Sequence, residues 1–385
     1  MKERIYTKDI ICILIASFFF MGSPMMVTPL ITGYAESLGG GAAIMGLIGG
    51  LMNLCSLACR PFAGNLADRV TKYRLSFFGA ALMTMGSIGY VIAPGTKVLM
   101  VARIVHGVGF SCCTVCLSTW MSNMLPREKI GAGMGLYGTM NALSMAISPA
   151  IGVYVYQHYG YRIAFVLATM CAVGTMIMIQ FVGDKGRPLG TDQRKQIKFV
   201  EPKVLPIAAI VALFTIPYYA TQSFLVRYTE IRGIDVSVGF FFTFYAIVLL
   251  VLRLTLKNYF DKWPYGVFVM GSCFSAFIAM VCLTVMKQDP LMFLAAACMA
   301  GGYGLMCSVC QSTALLLAGP EKRGLANGTY YVGLDVGMAT GPMIGGFLYG
   351  NVPGEWFYPC FMVTIPLIIA VYFVFCRKIG KQRGK

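Results

Sequence analysis

Charge is scarce in this chain: only 12% of its 385 residues are Asp, Glu, Lys or Arg, and only 15 are acidic. An ordinary soluble domain carries about 25% charged residues, so a water-exposed surface over most of the chain is excluded. Histidine is rarer still, with 2 residues, which leaves little for a metal centre even though Cys113-x-x-Cys116 and Cys307-x-x-Cys310 have ligand-like spacing. Long polar linkers are missing apart from one stretch, 183 to 203. No Gly-x-x-x-x-Gly-Lys-Ser/Thr run, no His-Glu-x-x-His and no serine-histidine or paired-aspartate arrangement occurs. Direct ATP drive and enzymatic hydrolysis therefore have no support; the chain is expected to be no enzyme and to need no cofactor.

What is present is apolar. Hydrophobic residues make up 58%, and the 44 glycines are scattered through apolar runs, where they serve as helix-packing positions. Most of the 14 cysteines also sit in such runs and are expected to be reduced. A membrane helix needs about 20 mostly apolar residues. Twelve such runs are expected, near 9–32, 43–66, 74–93, 98–124, 131–157, 162–182, 204–229, 238–258, 265–286, 291–318, 325–350 and 357–376. The chain thus reads as an all-α integral membrane protein: an N-terminal six-helix bundle (1–182), a central loop (183–203), and a C-terminal six-helix bundle with a short basic tail (204–385).

The excess of 31 basic residues is a topology device more than a nucleic-acid footprint. With both termini placed in the cytoplasm, only Lys97, Arg162, Arg227, Arg232 and Lys287 fall in outer connections, and Arg60, Arg103 and Arg253 lie within spans. Both termini are accordingly expected on the cytoplasmic side of the inner membrane, with the lipid bilayer as a partner and no nucleic acid.

A fixed offset of 193 residues aligns the two halves. Arg60 maps to Arg253, Asp68 to Asp261, Arg69 to Lys262, Gly109 to Gly302, Gly135 to Gly328, Pro149 to Pro342 and Gly152 to Gly345. Duplicated halves are a hallmark of transporters that rock about a central site. The first repeated block, Arg60 to Gly64, Asp68 and Arg69, ends a span in a charged turn; Arg253, Asp261 and Lys262 repeat it. A carboxylate there can cap a helix and pair with arginine in one state of a rocking cycle, or simply anchor the turn at the interface. The second block sets Gly337, Gly341-Pro342 and Gly345 on one helix face, with Ser144, Ser148-Pro149 and Gly152 as counterparts. Small residues four apart allow close backbone approach, and proline bends the helix.

These blocks resemble the major facilitator superfamily, and within it the twelve-span drug:proton antiporters. Gly64-x-x-x-Asp68-Arg69 is similar to the superfamily's loop signature. The glycine-proline stripe is similar to the antiporter signature, which that branch carries in the fifth span. Here Ser144, Ser148 and Val153 replace glycines in the fifth span, and the full pattern stands in the eleventh. Arg103-Ile-Val-His106-Gly107-Val-Gly109 resembles the family's Arg-x-x-Gln-Gly-x-Gly, with histidine at the glutamine position. The resemblance implies a proton-coupling role for Arg103 and puts His106 beside it.

Asp335 is the one carboxylate expected well inside a span, and intramembrane charges mark transport pathways. At about 100° per residue it lies opposite the Gly337-Gly341-Gly345 stripe and beside Tyr331 and Met338. It is the leading candidate for proton coupling, with a structural tie across a helix interface as the alternative. Asn141, Tyr137, Tyr218, Gln222, Tyr245, Tyr303, Gln311 and Tyr331 are candidates to line a mixed apolar cavity. The sequence therefore points to a monomeric secondary transporter exporting small amphipathic molecules by proton antiport. Rivals are organic-anion transport through Arg103 and His106, and a non-transporting membrane sensor or scaffold.

Overall fold

The computed structural model describes residues 7–125, 130–187, 200–256, 263–318 and 323–376. All regular structure among them is helical: α1 (Lys8–Val27), α2 (Ile31–Ser37), α3 (Ala42–Arg69), α4 (Lys72–Ile92), α5 (Thr96–Met124), α6 (Ile130–Gln180), α7 (Leu205–Ile231), α8 (Val238–Leu256), α9 (Tyr265–Val285), α10 (Asp289–Met299), α11 (Leu305–Ala318), α12 (Arg323–Asn351), α13 (Phe357–Phe361) and α14 (Thr364–Val371). Ten helices among the described residues are long and apolar enough to cross a membrane. One of them, Leu136–Gln180, turns at Gly160 (φ 83°, ψ 173°), a conformation open to glycine alone, and so supplies two spans. With α12 added, these are the twelve spans of the expected fold.

Local chemistry sets several boundaries. Thr7 caps α1 by accepting from the Ile10 N–H, and Thr71 caps α4 by accepting from the Arg74 N–H. The first span does not run straight to residue 32 as expected. It breaks after Val27, where Pro29 has no N–H to give, and resumes as α2. The last span is likewise built in pieces, α13, α14 and a π-helical turn at Tyr372–Cys376.

The chain divides into two compact units, Met1–Gly40 with Leu51–Gln196, and Gly41–Gly50 with Ile197–Lys385. In the first, α1 lies along α6 and α4 along α5, around a core of Ile13, Phe20, Phe110, Leu117, Trp120 and Met121. In the second, α7 lies along α12 and α9 along α10. Large apolar side chains such as Phe62 (75% exposed) and Phe274 (68%) point outward, as a lipid-facing surface requires.

Candidate functional site

In the first unit the Arg103 and His106 side chains are both fully buried on α5 (1% and 0% exposed). Small residues make this possible. A Cβ added at Gly86 would stand 2.7 Å from His106 Cβ, so glycine there lets the imidazole lie against α4. The ring stacks on Tyr90 (centroids 5.5 Å apart, planes at 14°), and its Nδ1 lies 3.4 Å from Ser87 Oγ, which is itself 3.3 Å from Ser23 Oγ. His106 Nε2 has no hydrogen-bond partner among the described residues. Arg103 lies within electrostatic reach of Tyr90, His106 and Cys55, and one of its N–H groups points at Met52 Sδ, 3.6 Å away. Arg103 therefore does not snorkel to an aqueous edge.

The second unit gathers most of the expected cavity residues. The Tyr218 ring stacks on Tyr303 at 4.1 Å and lies 4.9 Å from Tyr245 and 5.3 Å from Tyr219. Tyr303 enters this cluster from a π-helical turn, Ala300–Gly304, that joins α10 to α11; such turns re-aim side chains and recur at functional sites. Gln222 Nε2 donates to the Tyr218 hydroxyl at 2.8 Å. One turn beyond Tyr303, the Cys307 thiol meets the Tyr330 hydroxyl at 3.0 Å. Another turn on, Gln311 Nε2 donates to Asn327 Oδ1 at 3.0 Å and reaches the Tyr331 hydroxyl at 3.5 Å.

Asp335 is buried on α12 (1% exposed) and acts electrostatically on Tyr219 of this cluster. The opposite face of α12 carries the small residues. A Cβ at Gly337 would meet Thr215 Cβ at 2.5 Å, at Gly341 the Ile216 carbonyl at 2.5 Å, and at Gly345 the Phe224 ring at 3.0 Å. The glycine face thus seats α7 while the Asp335 face remains for other groups.

Tyr137 and Asn141 are placed elsewhere, in the first unit. Tyr137 joins the apolar core, and Asn141 Oδ1 accepts from Ser17 Oγ at 2.6 Å across the α1–α6 interface. Pro149 and Pro342 both lie inside helices, α6 and α12. Of the charged turn residues, Arg60 is half-buried and Arg69 exposed at the end of α3. Gly64 and Asp68 belong to that helix, but their side chains lie outside the described set, and Asp261 and Lys262 lie outside the described residues. Arg253 ends α8 and acts electrostatically on Tyr245.

Two groups were given no role by the sequence reading. Cys307 shares a helix face with Tyr303 and Gln311 at intervals of four, a signal that spacing alone could have raised. Lys72, fully buried, donates its ammonium to the Ala67 carbonyl at the end of α3 and its backbone N–H to Gly186 O at 2.9 Å. Asp9 accepts from the N–H groups of Gly183 and Asp184 at 2.9 Å each, and Trp120 Nε1 donates to Asp184 O at 2.8 Å. Residues 183–186 are thus strapped under α1, α4 and α5, and nothing in the local sequence announces it.

A family model described as Major Facilitator Superfamily matches residues 13–324 and, in a second match, 267–384. The chain belongs to the Major Facilitator Superfamily. It is accordingly a multi-pass membrane transporter, and no enzymatic family is indicated. An Escherichia coli (strain K12) protein described as the uncharacterized MFS-type transporter YhhS is 24% identical over 371 residues, covering 92% of this chain and 89% of that one. A POT family transporter solved in complex with a thioalcohol conjugated peptide superposes with a TM-score of 0.79 at 14% identity, covering 96% of each chain. The nucleoside transporter NupG superposes with a TM-score of 0.76 at 11% identity, covering 95% of this chain and 98% of that one. At such identities the solved structures share this superfamily member's fold, and nothing of their ligands carries over.

Proposed function

We propose that this Major Facilitator Superfamily transporter exports small amphipathic molecules across the cytoplasmic membrane in exchange for protons. It works as a monomer with both termini in the cytoplasm. The observation that carries the reading is Asp335: a carboxylate buried in mid-helix on α12, turned from the glycine face and within electrostatic reach of Tyr219, one of a cluster of four tyrosines in mutual ring contact. A buried carboxylate can be neutralised by a proton or by a cationic substrate, and competition between the two couples their movements. Aromatic faces alongside it hold the apolar body of the substrate and attract its positive charge. Arg103 and His106 belong to the coupling path in the first unit, and Arg60, Gly64, Asp68, Arg69, Arg253, Asp261 and Lys262, with the Pro149 and Gly337–Gly341–Pro342–Gly345 helices, serve the conformational change.

The test is substrate-induced proton movement in proteoliposomes under an imposed pH gradient, with a panel of lipophilic cations and organic anions. Proton efflux from acid-loaded vesicles on adding a cation, abolished in Asp335→Asn, is the expected result. Full, gradient-dependent transport by Asp335→Asn would sink the proposal. A second reading, exchange of organic anions, draws on the full burial of Arg103, which puts a permanent cation inside the first unit. Flux seen only with anions, lost in Arg103→Ala and kept in Asp335→Asn, would favour it.

A further inference from the structure

Gln222, which bonds into the tyrosine cluster, has its hydrogen bonding left half made among the described residues. Its Nε2 donates to the Tyr218 hydroxyl at 2.8 Å, and that hydroxyl in turn bonds the hydroxyl of Tyr245. The donor end of the amide is therefore committed to a chain that runs Gln222, Tyr218, Tyr245 through α7 and α8. The acceptor end is not: Gln222 Oε1 is buried and has no partner among the described residues, on a side chain only 2% exposed. A buried carbonyl oxygen without a donor is costly to keep, because water has been removed and nothing has replaced it. The amide's partner Tyr218 stacks on Tyr303 at 4.1 Å and lies tilted against Tyr245 at 4.9 Å, an aromatic surface that suits a cation.

We infer that Gln222 selects, among amphipathic cations, those that bring a hydrogen-bond donor on the charged nitrogen. A protonated amine presents N–H to Oε1 and its charge to the tyrosine faces. A quaternary ammonium of the same skeleton presents the charge alone and leaves Oε1 unpaired. Sites built around a hydrogen bond reject an analogue that lacks it far more strongly than apolar pockets reject a missing methylene. The amide acts on specificity and not on coupling, which belongs to Asp335. This inference rests on the export reading above and narrows its substrate class.

The experiment compares a naphthylethyl-dimethylamine with the trimethylammonium salt of the same skeleton, at a pH where the amine is protonated. Equilibrium binding to the purified full-length protein in lipid nanodiscs is measured alongside proton-coupled flux in proteoliposomes. The wild type is expected to bind the amine about ten-fold or more tighter than the quaternary salt. In Gln222→Met the amine weakens to within about two-fold of the quaternary salt, whose own affinity stays put. Gln222→Glu, which keeps an acceptor at this position, retains the preference and guards against a folding artefact in the methionine variant. Equal binding of the two probes by the wild type, or an unchanged ratio in Gln222→Met, overturns the inference. Selective binding with no proton flux from either probe leaves the inference standing and removes the export reading beneath it.

Discussion

Gly337 on α12 faces Thr215 on α7, while at the equivalent place in the first unit Ser144 on α6 faces Gly22 on α1. The offset of 193 residues relates Gly22 to Thr215 and Ser144 to Gly337, so glycine and hydroxyl residue have changed helices between the halves. Each interface keeps one residue without a side chain opposite one with a small polar side chain. That is why the fifth span can lack the glycines of its signature: the space they would provide is supplied by Gly22, against which Ser144 Oγ and Ser148 Oγ would stand 3.3 and 3.2 Å from an added Cβ. The two interfaces differ in chemistry as well. Ser144 Oγ donates across to the Phe18 carbonyl at 2.8 Å, whereas Thr215 Oγ1 donates back to Val211 of its own helix at 2.6 Å. The first pair is stitched by side-chain hydrogen bonds, and the second rests on backbone contact.

Size complementarity at this point is therefore testable by exchange. Gly337→Ser overfills the α7–α12 contact and is expected to cost about 1–3 kcal/mol of stability, as overpacking does. Adding Thr215→Gly recreates the arrangement of the first unit and recovers most of that loss. Melting of the purified variants in detergent measures it, and a double mutant no better than the sum of its single changes would show that the two positions do not couple.

Length and apolarity made all twelve spans legible, because a bilayer demands a run of fixed length whatever the residues in it are. Interruptions were less legible. The break between α1 and α2 depends on Pro29, and the turn inside α6 rests on Gly160 alone, one glycine among 44. Asp335 stood out as a lone carboxylate in an apolar run, and its position opposite the glycine face followed from helical geometry. Its neighbours did not follow. Tyr219 comes to it from α7, and Tyr303 joins the same cluster through a π-helical turn that no periodicity predicts, with Cys307 one turn further on. Ser23, Ser87 and Tyr90 come to His106 from α1 and α4, contacts that only tertiary packing creates.

Gly160 joins two spans through a backbone geometry that side-chain-bearing residues avoid (φ 83°, ψ 173°). No atom lies within 4 Å of a Cβ added there, so the penalty for Gly160→Ala is conformational and free of steric clash. It should amount to about 1–3 kcal/mol, the usual cost of such a backbone state. Gly271, which has open space around it too and lies inside α9, makes the control, and Gly271→Ala is expected to melt no lower than the wild type. Equal melting temperatures for both variants would contradict the argument.

His106 can be replaced by the glutamine that its family pattern carries. Glutamine keeps a polar group for Ser87 but gives up the stack on Tyr90, a loss of about 0.5–1.5 kcal/mol. His106→Gln is thus expected to retain flux with slightly lowered stability. His106→Leu leaves Ser87 with a bond to Ser23 alone in a buried setting and should cost more, about 1–3 kcal/mol. Flux and melting measured together separate the two, and a glutamine variant that folds but loses flux would mean that the imidazole itself is needed.

Asp9 holds the start of the central connection by two charge-assisted bonds, to the N–H groups of Gly183 and Asp184. Once those residues are fixed, Trp120 Nε1 can donate to Asp184 O, and Gly186 can accept from the Lys72 N–H while closing over the Lys72 stem. The strap therefore covers the stem of Lys72, whose buried ammonium donates to the Ala67 carbonyl at the end of α3. Asp9→Ala removes both caps at once, and since the site is partly exposed the direct loss is expected near the lower end for a capping residue, about 1 kcal/mol. If the strap is cooperative, Trp120→Phe on its own produces a similar loss, and the double variant loses clearly less than the two added together, because either change already frees residues 183–186. Hydrogen exchange of the Gly183, Asp184 and Lys72 amides reports on this directly. All three should exchange faster in Asp9→Ala, and protection of the Lys72 amide unchanged from wild type would show that Lys72 is held without the strap.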